Sequence, residues 1–493
     1  MLIKALITAA FAFCAGPLAA QAVFVPYGLD PSFANAGKYN GTFAGADFRL
    51  LAHLQRPDGT SVGVAYYDNN LGCPAGRHCL ALYPFNAAGA LTGALTVPQT
   101  GQATFSKRTG GIVLDPVLIK AAAIDSQGRI VIVGTEQFGS LFDFKVVRLL
   151  PTGQPDTTFD GDGVQTIDFN GNEDLAFGVS IEPTTDKIVV VGQVRLSATD
   201  TDFGVVRLLA NGALDPFFNS TGKRTVPFDL SASNTDRAIA VTATGNLIYI
   251  AGTATDNGVS RIALTRLLNS GGYNAGFCSG SCSFQGSYSA INSGRRVIFY
   301  GTQGATSDFV EAASVNLASS PAEWVYAGTR NSGAPNFVSE AFIQKLAANG
   351  DYANEALTDG GYASTTQYRM GGVHWVNPNV ANSGIVLTGT SGLDGIAFFA
   401  QGMSSALVAT PNWGAAGPSN SVALYAATGG LGESNGMNLP AQSSIDSAGR
   451  VLLGGSYLAG NTNAPPYSIS IARFRGGLTV PTADSIFKNG FEN

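Results

Sequence analysis

The octet Asp143-Phe-Lys-Val-Val-Arg-Leu-Leu150 returns 59 residues later as Asp202-Phe-Gly-Val-Val-Arg-Leu-Leu209. Arg148, Arg207 and Arg266 keep the same interval. So do Gly153, Gly212 and Gly271, and the pair Asp156 and Asp215. A fixed period of this length marks a fold made by repeating one supersecondary unit.

One unit reads in full over residues 121–169. A strand end leads to the turn Asp125-Ser-Gln-Gly128, then to the β-branched run Ile130 to Val133, which suits a strand buried on both faces. Gly134 follows, where crowding or a bend favours a missing side chain. A polar loop, the octet strand, the turn Pro151-Thr-Gly153, a short outer segment Asp156-Thr-Thr-Phe159 and the run Val164 to Phe169 complete the unit.

The turn, strand and glycine recur with anchoring glycines at 63, 134, 192, 252, 328, 389 and 454, which count seven units. Arg296-Val-Ile-Phe-Tyr-Gly301 is either an eighth unit or an insertion in the fourth interval. Four short strands repeated about seven times predict an all-β fold, a β-propeller of four-stranded blades. An open solenoid competes with it, and the chain ends decide between them. Leu29-Asp-Pro-Ser-Phe33 resembles Leu214-Asp-Pro-Phe-Phe218, the end of a unit without its beginning. Ile471-Ala-Arg-Phe-Arg475 resembles the third strand of a unit whose outer part is missing. Pairing the two ends in one blade closes a ring and removes two strand edges.

These motifs resemble the delta-60 repeats of exported bacterial proteins. The likeness is strong over residues 121–228, recognisable at 28–43, 241–277 and 443–475, and faint over 281–431. The resemblance implies an exported, propeller-like repeat and assigns no catalytic residues. The ending Ile486-Phe-Lys-Asn-Gly-Phe-Glu492 is similar to Ile-Phe-x-x-Gly-Phe-Glu tails of exported proteins, and is expected to be either a sorting tag or a docked tail.

Residues 1–22 read as a signal peptide: Lys4, an apolar stretch and the cleavage pattern Ala20-Gln21-Ala22. Residues 23–477 then form one propeller, and 478–493 a linker and tail. The mature chain is expected to be exported, to the periplasm, cell surface or exterior, and monomeric. It offers no apolar run of membrane-spanning length. Charged residues are 13% and the net charge is -6, with no Lys/Arg block, so nucleic acid is excluded as an expected partner. In an exported chain, Cys73 with Cys79 and Cys278 with Cys282 are expected to form local disulfides.

Chemistry is sparsely written. His53, His78 and His374 show no metal-ligand spacing. Phe159-Asp-Gly-Asp-Gly163 resembles a fragment of a calcium loop, with Asp156, Asp160 and Asp162 as candidate ligands. The acidic ligand that should follow is missing, and a repeat turn explains the stretch better. No catalytic residue and no cofactor is expected. The recurrent arginines are expected to cap turns or to pair with carboxylates between blades. Trp324, Tyr326, Trp375 and Trp413 either form a partner surface or fill blade interfaces, the second being preferred. The expected function is a binding or scaffold module for an unknown extracellular ligand or protein. The alternative is a carbohydrate-active or quinone-dependent enzyme, resting on fold analogy alone. Three or more charged side chains converging in one pocket on the loop-rich face would favour the enzyme.

Overall fold

The computed structural model describes residues 30–35, 37–41, 48–56, 58–67, 72–93, 95–96, 103–107, 118–232, 234–278, 288–289, 294–298, 307–316, 322–331, 339–346, 352–357, 368–376, 383–391, 397–403, 406, 425–426, 439–446, 449–458 and 467–474. The signal peptide, Cys282, Trp413 and the C-terminal tail lie outside them.

Seven antiparallel sheets follow one another along the chain. Blade 2 shows the pattern: Ile119–Ile124, Ile130–Phe138, Leu141–Leu149 and Val164–Ile167, each paired with the next. Blade 3 repeats it with Asp174–Ile181, Ile188–Ser197, Asp200–Leu208 and Lys223–Val226. The octets are therefore third strands. The second strand of blade 2 runs past Gly134 to Phe138, so the expected polar loop is mostly strand. It closes in a two-residue hairpin, Phe138 facing Leu141, with Gly139 at a φ of +62°. The segment after Asp156 is a turn, not a strand.

The run Ile130 to Val133 is fully buried. Its side chains enter two different cores. Ile130 and Ile132 pack with blade 1 residues such as Val64 and Leu82, whereas Val131 and Val133 pack with blade 3 residues such as Val190 and Val206. A continuous apolar strand is what a sheet sandwiched between two others requires.

All seven anchoring glycines sit on second strands, one per blade. Gly134, Gly192, Gly252, Gly328 and Gly389 face a β-bulge in the first strand, between Ile119 and Ala121 in blade 2 and between Ala176 and Gly178 in blade 3, whereas in blade 1 Ala65 and not Gly63 faces it. The bulge thrusts a carbonyl at the glycine. A Cβ on Gly134 would lie 2.2 Å from the Leu118 oxygen, and on Gly192 2.0 Å from the Leu175 oxygen.

Residues Arg295–Ile298 pair with Val259–Leu268 as an outer strand of blade 4. The segment is thus the fourth strand of blade 4, where the sequence suggests an eighth unit or an insertion. Blade 7 is the split one: Lys38–Gly41 pairs antiparallel with Tyr467–Phe474, Tyr39 facing Ile471. The ring also closes through its inner strands, where Gln442 of blade 7 exchanges backbone hydrogen bonds with Leu51 and His53 of blade 1, at 2.9 and 3.0 Å.

Candidate functional site

In an antiparallel four-strand meander, second-to-third hairpins and blade-to-blade crossovers share one face. First-to-second turns and third-to-fourth loops share the other. The two faces of this ring carry opposite electrostatic arrangements.

On the turn face, Arg148, Arg207 and Arg473 each pair with an aspartate of their own blade, and Arg148 and Arg473 also reach the next blade. Arg148 is buried, donates from Nε to Asp156 Oδ2 at 2.8 Å and from Nη2 to Thr158 Oγ1, and lies over the Phe159 ring. Its Nη1 donates to the Ala210 carbonyl of blade 3. Arg473 repeats the arrangement across the ring closure: Asp30 Oδ2 at 2.8 Å, Ser32 Oγ at 3.1 Å, the Phe33 ring and the Ala87 carbonyl of blade 1 at 2.7 Å. Arg207 pairs with Asp215 at 2.9 Å, and Lys187 reaches the same carboxylate at 2.9 Å.

The backbone joins in. The residue after the repeat phenylalanine takes positive φ (Ala34 +46°, Asp160 +49°, Asn219 +50°). Its N–H donates to the next blade, to Ala88, Asn211 and Ser270 carbonyls respectively. That conformation is why Asp, Asn and Gly crowd here. Asp156, Asp160 and Asp162 therefore occupy latch positions. Asp156 accepts from Thr158 and Arg148, and Asp162 Oδ1 accepts the Val164 amide at 2.9 Å. The carboxylate trios that converge among the described residues are elsewhere.

Those trios lie on the crossover face. At the junction of blades 2 and 3 stand Asp143, Asp168 and Asp174. At the junction of blades 3 and 4 stand Asp200, Asp202 and Asp229. In each trio, one carboxylate oxygen per residue lies within 4.8 Å of the others. The two trios share one repeat-equivalent member, Asp143 and Asp202. Asp143 and Asp202 begin the octets on third strands. Asp168 and Asp229 follow fourth strands. Asp174 and, beside the second trio, Asp236 begin the next blade's first strand; their Oδ2 atoms accept the Phe169 and Phe228 amides, each at 2.8 Å.

Asp174 and Asp236 are fully buried and Asp202 is nearly so, and the Oδ1 of each has no hydrogen-bond partner. Burial, then the neighbouring Asp168 and Asp143 carboxylates, pushes Asp174 up to about 7. Burial, then Asp200 and Asp229, does the same to Asp202, with Arg295 pulling weakly the other way. Asp236 is also pushed to about 7, by burial and then Asp202 and Asp229. Convergence thus occurs on the loop-rich face. It occurs twice, as three aspartates at each of two neighbouring blade junctions.

Trp324, Tyr326 and Trp375 are buried in cores, as the preferred reading of these aromatics requires. His53 is buried with Nε2 2.9 Å from Ser61 Oγ, and His78 packs against Tyr66. Cys73 and Cys79 are joined in a disulfide, and Cys278 is disulfide-bonded as well. The trios were absent from the sequence reading. The recurrence of Asp143 at Asp202 was the available signal.

No curated protein sequence matches the chain. Among solved structures, polysaccharide lyase Uly1 is similar with a TM-score of 0.50 at 10% identity, over 88% of this chain and 91% of the lyase. The Penicillium chrysogenum alpha-L-arabinanase complexed with arabinobiose gives 0.42 at 9%, over 71% and 91%. Drosophila Plexin A in complex with Semaphorin 1b gives 0.42 at 7%, over 88% and 86%. At these identities the likeness speaks of fold alone. The family model described as "Domain of unknown function (DUF5122) beta-propeller" matches residues 126–159 and 185–218, the stretches that run from the first turn of blades 2 and 3 to their latch phenylalanines.

Proposed function

We propose that this chain is an exported binding or scaffold module of the cell envelope or exterior, built of delta-60-type repeats and presenting its crossover face to an extracellular ligand or protein. The observation that carries the reading is the placement of exposed apolar side chains. Phe138 and Leu141 flank the hairpin tip of blade 2, and Leu196 stands at the tip of blade 3, in the position equivalent to Phe138. They are 53%, 43% and 42% exposed and cluster at adjacent hairpin tips, while Phe217 and Leu268, 80% and 39% exposed, stand singly on the turn face. Apolar side chains held out by rigid hairpins on one face are a feature of binding surfaces. The turn-face charges serve a different end: Arg148, Arg207 and Arg473 are committed to aspartates of their own blades, and Arg148 and Arg473 to the next blade's backbone as well.

The sequence supports export through residues 1–22, and the tail at 486–492 fits a sorting role. Glycan and peptide arrays probed with the full chain and with a Phe138→Ser/Leu196→Ser variant test the binding reading. Array binding lost in the variant is the expected result. Equal binding by both, or turnover of a glycan by both, would contradict it.

A further inference from the structure

The two carboxylate trios pose one question: what balances them? Asp174 is fully buried and leaves Oδ1 without a partner, within a trio whose other members are also acids. Asp202 does the same one blade on. A buried, unpartnered carboxylate oxygen facing further carboxylates is costly unless a cation stands among them.

The next junction shows what the fold does when the chain supplies that cation itself. The position of Asp143 and Asp202 recurs 59 residues later as Arg261. The position of Asp174 and Asp236 recurs as Asp308, two residues before the first-strand bulge in each case. Asp308 is fully buried too. Its Oδ1 accepts from Arg330 Nε at 2.8 Å while Oδ2 has no hydrogen-bond partner; burial raises its carboxyl, and Arg330 and Arg261 oppose that rise. At the register place of Arg330 across from Asp308, blade 3 has Val194 across from Asp174. So the blade 4–5 junction holds one buried aspartate and two guanidinium groups. The blade 2–3 and 3–4 junctions hold the same buried aspartate and extra acids.

Arg195 does not fill the gap at the first trio, since its guanidinium is paired with Glu173. At the second trio, Arg295 donates to the Pro227 carbonyl and stacks on Tyr273.

We infer that the blade 2–3 and blade 3–4 junctions each bind a divalent cation, of the calcium class, through Asp143, Asp168 and Asp174 and through Asp200, Asp202 and Asp229. The chemistry fits: hard oxygen donors only, two from strands and one from a crossover in each trio, with one exposed member (Asp168, Asp229) leaving room for water ligands. Each ion would tie a third strand and crossover, joined at the first site by the next blade's first strand. It offsets carboxylate charge on this face as Arg148 and Arg207 do on the other.

The test uses the full mature chain, freed of metal by chelator and exchanged into metal-free buffer. Calorimetric titration with calcium chloride should show two sites per chain, and saturation should raise the melting temperature by roughly 5 °C. An Asp143→Arg/Asp202→Arg variant copies the arginine at 261. It should lose both binding heats, and its melting temperature should no longer respond to calcium or chelator. An Asp143→Asn/Asp202→Asn variant, checked for fold by circular dichroism, gives the same readout if the arginine variant does not fold. Asp156→Asn/Asp160→Asn/Asp162→Asn should bind calcium as the wild type does. No heat with calcium, magnesium or manganese and a melt indifferent to chelator would overturn the inference. So would binding retained in the Asp143/Asp202 variants, or lost in the Asp156/Asp160/Asp162 variant.

Discussion

The turn face and the crossover face of this ring are made by the same repeat, yet they handle charge in opposite ways. On the turn face every repeat aspartate described in detail meets a cation: Asp30 meets Arg473, Asp156 meets Arg148, and Asp215 meets Arg207 and Lys187. On the crossover face Asp174, Asp202 and Asp236 are pushed up to about 7, by burial first and then by neighbouring carboxylates. The lesson is that a buried aspartate in this fold is a fixed part, and that its counter-charge is variable. An arginine inside the repeat supplies it at some junctions. At others the place of the arginine is taken by an acid.

The largest effect that separates the faces belongs to the latch that closes the ring. Arg473→Ala strands the Asp30 carboxylate and deletes the bond to Ala87, and should cost about 3–5 kcal/mol in urea unfolding. Arg473→Met with Asp30→Leu should recover most of that loss, because both charges leave together. A single variant as stable as wild type would show the latch to be ornamental.

Next comes conversion of one kind of junction into the other. Arg261→Asp places an acid where Asp308 now has a guanidinium, and should cost about 2–3 kcal/mol in chelator. Part of that loss should return with calcium, as measured by melting temperature. A loss that calcium leaves untouched would break the parallel between the junctions.

The reverse sign is expected from Asp202→Asn. In metal-free buffer at pH 8 it removes a buried like charge, and should stabilise the fold by about 2 kcal/mol. Destabilisation of that size under those conditions would mean that the aspartate is already compensated.

A smaller, pH-dependent effect probes the balanced side. Burial, and then Arg473, pushes His53 down to about 3. Its folded pKa lies below the unfolded value near 6.5, so the unfolded chain takes up the proton first. Stability from this group is complete above pH 6.5 and falls as pH drops toward 3, by about 1.4 kcal/mol per unit. His53→Gln should remove that slope between pH 6 and 5 in chemical denaturation. Parallel curves for the two proteins would contradict it.

Much of the ring was legible in the sequence, because its determinants are local or periodic. The anchoring glycines mark the second strands, and at Gly134, Gly192, Gly252 and Gly328 a facing carbonyl explains why a side chain is excluded. Arg148 and Arg207 announce themselves by spacing and Arg473 by its place in the third-strand motif, and the aspartates of the first two follow within a few residues. Asp30 is the exception, reached only because the chain ends meet. The hairpin at Gly139 was read too long, since Glu136 and Asp143 are polar yet belong to strands. The carboxylate trios were missed for a different reason. Asp143, Asp168 and Asp174 come from two blades and the crossover between them, and the crossovers differ in length, with 6 residues from Asp168 to Asp174 but 7 from Asp229 to Asp236. A search for ligands at fixed short spacing cannot see such a set. Only the fold, which brings a third strand beside the next blade's first, puts them together.

Both faces exist because the split blade closes the ring, and a cross-link tests that most directly. Tyr39 and Ile471 face each other across the closing ladder. In a Tyr39→Cys/Ile471→Cys variant of the mature chain, mild oxidation should form a 39–471 disulfide, seen by mass spectrometry of tryptic peptides, with the melting temperature unchanged or raised. Failure to cross-link while the protein remains folded, together with fast amide exchange at residues 38–41, would contradict the closed ring.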